Sequence, residues 1–286
     1  MRENLVIVRA GQNSLHHHWV SSRRNWDLIV SWYGSGKPSV PGDACFKQAG
    51  TKWQGLYALL TSGAIDWQKY KYVWLPDDDL LTTCEDINIF FDLQKKTKCS
   101  LSQPSLSKGS FIGWTITMQH HFLVYRNTNF VEVMAPAFEV SFLRKMLPTF
   151  DYNASGWGLD FLWSIFAGIH SHSCHIFDRI GVQHTRPVGS AGHGAAGYAP
   201  REEWAELVGR MNKLNGSPIM TGTPAPTNYE FHTKSGKTIS LERTPQQFLA
   251  MLERCLPLID KTDPYFLAHY DVKFFNRASV PKLLHE

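Results

Sequence analysis

Three consecutive carboxylates, Asp77, Asp78 and Asp79, stand where the apolar run VWLPDDDL stops at a proline. Like charges packed this closely cost stability unless a cation or water compensates them, so the triplet is either an acidic surface turn or the seat of something bound. Two other places carry comparable chemistry. Asp160 opens an apolar helical pattern in GWGLDFLWSIF, either as a routine first-turn acid or as a carboxylate kept ionised at a helix N-terminus. In CHIFDRIGVQHTRPVG a strand signal runs from His175 to Gln183 and ends in His184, either a hydrogen-bonded framework residue or a ligand, and Arg186 follows it. A guanidinium there presents a planar fork of donors to phosphate or is an ordinary surface cation.

The segments that must position these residues read as an α/β layer. NLVIVR (Asn4 to Arg9) and WDLIVSWYG (Trp26 to Gly34) are strand signals, with Ser14 placed to cap a helix through LHHHWV between them. Two strands joined by a helical crossover imply a parallel pair. Trp53, Leu56, Tyr57 and Leu60 share one helical face, and that helix leads into the strand KYVWL. The triplet therefore follows the carboxyl end of a central strand, where open α/β sheets gather ligands.

DDDLLTTCEDINIFFDLQKK reads as a helix, TKCSLSQPS as a strand, and KGSFIGWTITMQHHFLVYRNTNFVEV as antiparallel strands with acceptor-side loops. APAFEVSFLRKMLPTF has helical spacing through Phe138, Phe142 and Met146. Leu159, Leu162, Trp163 and Phe166 mark a core stripe that leaves Asp160 off it. The Gly/Ala-rich stretch Pro187 to Pro200 reads as a mobile loop or lid and divides the chain near residue 190. Beyond it, REEWAELVGRMNKL and TPQQFLAMLERCLPLI have helical periodicity, and NYEFHTKSGKTISLE reads as a hairpin around Ser235 and Gly236.

Composition narrows the class. The chain has 286 residues, 43% hydrophobic and 19% charged, as in a globular protein with a substantial core. No stretch approaches the roughly 18 consecutive apolar residues that span a bilayer, and MRENLVIVRAG has too short an apolar run for a signal peptide. Cys45, Cys84, Cys99, Cys174 and Cys255 form no CxxC pair, so free thiols in a reducing, cytoplasmic setting are expected. A net charge of +4 permits anionic ligands without demanding nucleic acid. His16, His17 and His18 point in different directions on a helix, which makes HHHW a polar face beside a buried Trp19 rather than a metal site.

The ordered set of acidic triplet, GWGLDF and VQHTRP resembles the GT-A class of nucleotide-sugar-dependent glycosyltransferases. RAG, HHHW, WDLIVSWYG, Lys52, the triplet and GWGLDF stand in the same order as in a poorly characterised GT-A-like family of plants and bacteria. Bacterial galactofuranosyltransferases of surface-polysaccharide and O-antigen assembly look similar too. The resemblance covers roughly residues 4–190. It implies a Rossmann-like central mixed sheet flanked by helices, a catalytic core over 1–190, and a helical extension over 191–286 that completes the donor and acceptor site or contacts a partner.

By the same resemblance, Asp79 ligates Mn²⁺ or Mg²⁺, Asp77 faces the ribose or the metal, His184 completes the coordination, and Asp78 orients sugar or water. Asp160 is the base of an inverting displacement, although Leu159 stands before it where inverting members usually carry Glu. Trp157 is either an apolar wall for the acceptor or core. Arg9, Ala10, Tyr33, Lys52 and Arg186 would hold the UDP-sugar donor, with Arg186 toward a phosphate. A glycan or glycolipid accepts the sugar, at the cytoplasmic face of the membrane or beside a partner enzyme. The alternatives are a retaining transferase of the same fold, a metal-dependent nucleotide-sugar phosphohydrolase, and a non-catalytic carbohydrate-binding domain.

Overall fold

The computed structural model describes residues 2–152, 154–168, 174–188, 200–215 and 228–240. Strand β1 (Asn4–Ala10) is buried along almost its whole length between two parallel neighbours, β2 (Trp26–Trp32) and β4 (Tyr72–Trp74). A strand covered on both faces reads as a continuous apolar run, and β1 does. Its side chains alternate between two cores. Leu5 and Ile7 pack with Ile29, Trp53, Leu56 and Val73, whereas Val6 and Val8 pack with Leu28, Val30, Trp74 and Phe90. The first core is closed by α1 (Lys52–Thr61), α3 (Val140–Met146) and α4 (Leu159–Gly168), the second by α2 (Cys84–Thr97).

Strand β3 (Ala44–Lys47) extends the parallel set beyond β2. On the other side, β8 (Ala137–Glu139) runs antiparallel to both β4 and β6 (Leu101–Leu106). Strand β6 is parallel to β9 (Cys174–His184), and β7 (Leu123–Thr128) pairs antiparallel to β9. The hairpin of β10 (Asn228–Thr233) and β11 (Thr238–Ser240) continues the sheet from β7. Among the described residues the order is β11-β10-β7-β9-β6-β8-β4-β1-β2-β3, with the short β5 (Leu80–Leu81) paired to the end of β9. The expected class, a central mixed sheet flanked by helices, is the one observed, and the hairpin turns at Gly236 with φ +82° as anticipated.

Four local expectations are corrected. LHHHWV forms only a single 3-10 turn, His16–His18, because Ser14 Oγ bonds His16 Nδ1 (2.6 Å) instead of capping a longer helix. His16 is itself buried and donates from Nε2 to the Val40 carbonyl (2.8 Å), so it belongs to the framework and not to a polar face; Trp19 is buried as expected. The helix expected from Asp77 begins only at Cys84, where Thr83 Oγ1 accepts the Asp86 N–H (3.1 Å), and the triplet stays in the loop before it. Phe138 lies on β8, not on a helix; helix α3 starts after Glu139, whose carboxylate caps the Phe142 N–H (3.1 Å).

Helix α5 (Pro200–Asn215) forms where REEWAELVGRMNKL was expected to be helical. The Gly/Ala-rich stretch over 189–199, the helical pattern TPQQFLAMLERCLPLI and Cys255 lie outside the described residues. Cys84, Cys99 and Cys174 are buried free thiols and Cys45 is an exposed one. No helix among the described residues is long and apolar enough to cross a membrane.

Candidate active site

The parallel register brings the carboxyl ends of β1, β2 and β4 side by side, so Ala10, Tyr33 and the acidic triplet meet at one edge of the sheet. Asp78 ties them together. Its Oδ2 accepts the Gly11 N–H (2.8 Å) and the Tyr33 hydroxyl (3.2 Å), its Oδ1 accepts Arg186 Nη1 (3.2 Å), and its carbonyl accepts the Leu15 N–H (2.7 Å). With its carboxylate so engaged, Asp78 holds the loops around the site. Asp77 points elsewhere: its Oδ1 pairs with Lys52 Nζ at 2.6 Å. That ammonium also donates to the carbonyls of Val133 (2.7 Å) and Met134 (3.1 Å), which engages its three N–H groups. Desolvation pushes Lys52 down and Asp77 up in pKa, each opposed by the charge of the other.

Asp79 meets His184. Strand β5 pairs Leu80 with His184, which sets Asp79 Oδ2 at 3.3 Å from His184 Nε2. The Asp79 carbonyl is fixed by the N–H (3.1 Å) and hydroxyl (2.8 Å) of Thr185. On the far side of the ring, Nδ1 lies 2.6 Å from the Phe111 carbonyl. A carbonyl only accepts, so Nδ1 carries the proton and Nε2 is the nitrogen available to a ligand or to Asp79. Burial raises the Asp79 carboxyl, but His184 and Arg186 outweigh it and hold Asp79 below its ordinary range. Burial lowers His184, and Asp79 together with the Phe111 carbonyl outweighs that and holds it raised.

The second oxygen of Asp79, Oδ1, is buried with no hydrogen-bond partner among the described residues. An unsatisfied carboxylate oxygen beside an imidazole whose distal nitrogen is anchored fits a divalent cation, with the nitrogen favouring Mn²⁺ over Mg²⁺. Among the described residues no group of three or more His, Cys, Asp or Glu side chains is gathered closely enough to hold a metal, and Asp79 and His184 stand as a pair.

Asp160 sits in the first turn of α4, buried, with Oδ1 accepting the Phe161 N–H at 2.9 Å. It lies off the core stripe of Leu159, Leu162 and Trp163, as expected, but the expected lowering of its pKa is corrected. Desolvation outweighs the backbone N–H groups of Phe161, Asp160 and Gly158, and the carboxyl is pushed up to about 7. The turn before it needs glycine twice: Gly156 (φ +78°) and Gly158 (φ +92°) lie in the left-handed region. A Cβ on Gly158 would come within 1.9 Å of the Trp204 ring of α5. Trp157 between them is half exposed, on the surface and not in the core.

The remaining sequence candidates frame the site. Arg9 is buried and donates to Ser31 Oγ (3.0 Å) and to the carbonyls of Gln48 (2.9 Å) and Gly50 (2.6 Å), which fastens the loop ahead of α1. Ala10 is buried and offers its carbonyl to the Tyr33 N–H (3.0 Å). Tyr33 keeps its ring half exposed over Gly11, and burial of its hydroxyl with Asp78 pushes the phenol up to about 12. Arg186 spans Asp78 and the Asn13 carbonyl.

Sequence reasoning missed two residues here. Glu132 is buried, and its carboxyl feels the charges of Asp160, His184, Asp77 and Lys52. The signal was an acid inside the apolar run NFVEV. Glu203 on α5 accepts the N–H groups of Ala154 and Ser155 (3.1 Å each) and so braces the loop before Trp157; nothing local to its own helix announces that.

No protein-family model and no curated protein matches the sequence. Solved structures similar to the chain include residues 1–349 of S. aureus TarS in complex with UDP-GlcNAc (TM-score 0.46, 10% identity, 76% of this chain and 68% of that one). Glucosyl-3-phosphoglycerate synthase from Mycobacterium tuberculosis, in complex with Mn²⁺, UDP-glucose and phosphoglyceric acid, gives a TM-score of 0.43 at 12% identity over 80% of this chain and 86% of that one. A putative nucleotide-diphospho-sugar transferase from Desulfovibrio desulfuricans G20 gives 0.38 at 9% identity over 75% and 96%.

Proposed function

We propose that this chain is a metal-dependent glycosyltransferase of the GT-A type, which moves a sugar from a UDP-sugar to a hydroxyl of a glycan or glycolipid with inversion. The observation that carries the reading is the Asp79–His184 pair, with Nε2 free of the anchoring carbonyl and Asp79 Oδ1 unsatisfied, at the carboxyl edge of a parallel sheet. A divalent cation held there supplies the positive charge that a diphosphate requires as it becomes a leaving group.

The chain's own residues supply the rest. The exposed Tyr33 ring at the end of β2 offers a face on which a nucleobase can stack. Asp78 and Arg186 lock the loops after β1 and β9 into one wall. Asp160 takes the proton of the acceptor hydroxyl as its oxygen bonds to the anomeric carbon and the bond to the diphosphate breaks, and a pKa near 7 suits that task better than an ordinary Asp would. Trp157 beside it offers the acceptor an apolar surface.

Incubation with UDP-sugars and Mn²⁺ tests the reading through UDP release. Release that depends on both metal and a glycan acceptor is expected. Equal release without an acceptor would favour a phosphohydrolase, and none under any metal would oppose both.

A further inference from the structure

The segment 131–134 links the two ends of the site. The Val131 N–H donates to Ser164 Oγ (3.2 Å) of α4, one turn beyond Asp160. The carbonyls of Val133 and Met134 accept Lys52, and Met134 also accepts the Asp77 N–H (2.8 Å). Glu132 stands between these anchors, with its own N–H fixed on Gln103 Oε1 (2.5 Å). Its residue is 6% exposed, and Oε2 is buried with no hydrogen-bond partner among the described residues. Gly113 lies against it, and a Cβ there would come within 2.7 Å of Oε1.

A buried carboxyl that the protein leaves unsatisfied is costly, whereas one that meets a ligand hydroxyl is not. Besides burial, the charges acting on Glu132 are those of Asp160, His184, Asp77 and Lys52, which belong to both ends. In the reading above, the group that spans those ends is the sugar in transit. We propose that Glu132 is a donor-specificity residue whose carboxyl hydrogen-bonds a hydroxyl of the hexose lying between the diphosphate seat at Asp79 and His184 and the base Asp160. This deepens the proposed function and rests on it. A side chain at Gly113 would displace the Glu132 carboxyl from its present place. Burial first, and then Asp160, hold Glu132 protonated up to about 8, which allows it both to donate and to accept.

Calorimetric titration of wild type, Glu132→Ala and Glu132→Gln tests this, with UDP, UDP-glucose, UDP-galactose, UDP-galactofuranose and UDP-N-acetylglucosamine in the presence of Mn²⁺. Wild type is expected to bind one sugar nucleotide at least about tenfold tighter than UDP, as a site built to pair a hydroxyl does. Glu132→Ala keeps the UDP affinity within about twofold and loses that increment. Glu132→Gln, nearly isosteric, keeps part of it with an altered order of preference, and carries the comparison should the alanine variant fail to fold. A retained increment in both variants, a parallel loss of UDP and UDP-sugar binding, or a wild type without any sugar preference overturns the proposal. Absence of UDP binding in wild type overturns instead the donor-site reading beneath it.

Discussion

Burial of Asp160 costs stability, and in the proposed reaction the raised pKa suits it to act as the base. Its folded pKa of about 7 lies above the ordinary 3.8, so ionisation is harder in the folded chain than in the unfolded one. The associated stability is complete below pH 3.8 and is lost as the pH rises through about 7. Asp160→Asn is therefore expected to melt higher than wild type at pH 8, by up to about 4 kcal/mol, and to match it at pH 3.5, which thermal melts at the two pH values check. The same variant loses about 10²–10⁴ in kcat with UDP affinity unchanged, and wild-type kcat/KM climbs with pH to about 7 before levelling. The type and spacing of Asp77, Asp79, Asp160 and His184 were legible in the sequence. The sign of the Asp160 shift was not, because the helix terminus is local whereas the desolvation comes from packing around α4. Glu132 escaped for the same reason: its neighbours lie on α1, α4, β9 and the triplet.

At the scale of elements, the site depends on two junctions. Strand β5 carries Asp79 to His184, and the turn 156–158 delivers Asp160 under the brace of α5. Gly158→Ala faces both a positive φ and the Trp204 ring, so destabilisation of about 2 kcal/mol or more is expected by denaturant titration. Glu203→Ala frees two N–H groups of the loop and is expected to raise acceptor KM severalfold while UDP affinity holds; an unchanged acceptor KM would remove α5 from acceptor binding. The buried parallel strands, α1 and the hairpin were legible because long apolar runs and turn residues state them locally. Strand β8 was not, since three residues inserted between β4 and β6 have no period of their own. The start of α2 was set by the Thr83 cap, against a helical pattern that ran through the triplet.

Across the whole molecule, one aromatic cluster joins the halves of the site. Trp53 of α1 meets Phe150 and Trp163, each at 4.7 Å between ring centroids, and Trp163 of α4 meets Phe138 of β8 at 5.1 Å. Lys52 and Asp160 thus stand on helices that share a core, and Trp163→Ala is expected to cost about 3–5 kcal/mol in denaturant titration. Of the large hydrophobic side chains exposed among the described residues, Tyr33, Phe111, Trp157 and Val188 adjoin residues of the site, whereas Ile89 lies away on α2. The most direct test of the account is calorimetric titration of UDP with and without Mn²⁺ into wild type, Asp79→Asn and His184→Ala. Binding that requires Mn²⁺ in wild type and weakens at least about tenfold in each variant is the expected result. Metal-independent UDP binding, or binding that both variants retain, would contradict the seat at Asp79 and His184 and with it the assigned chemistry.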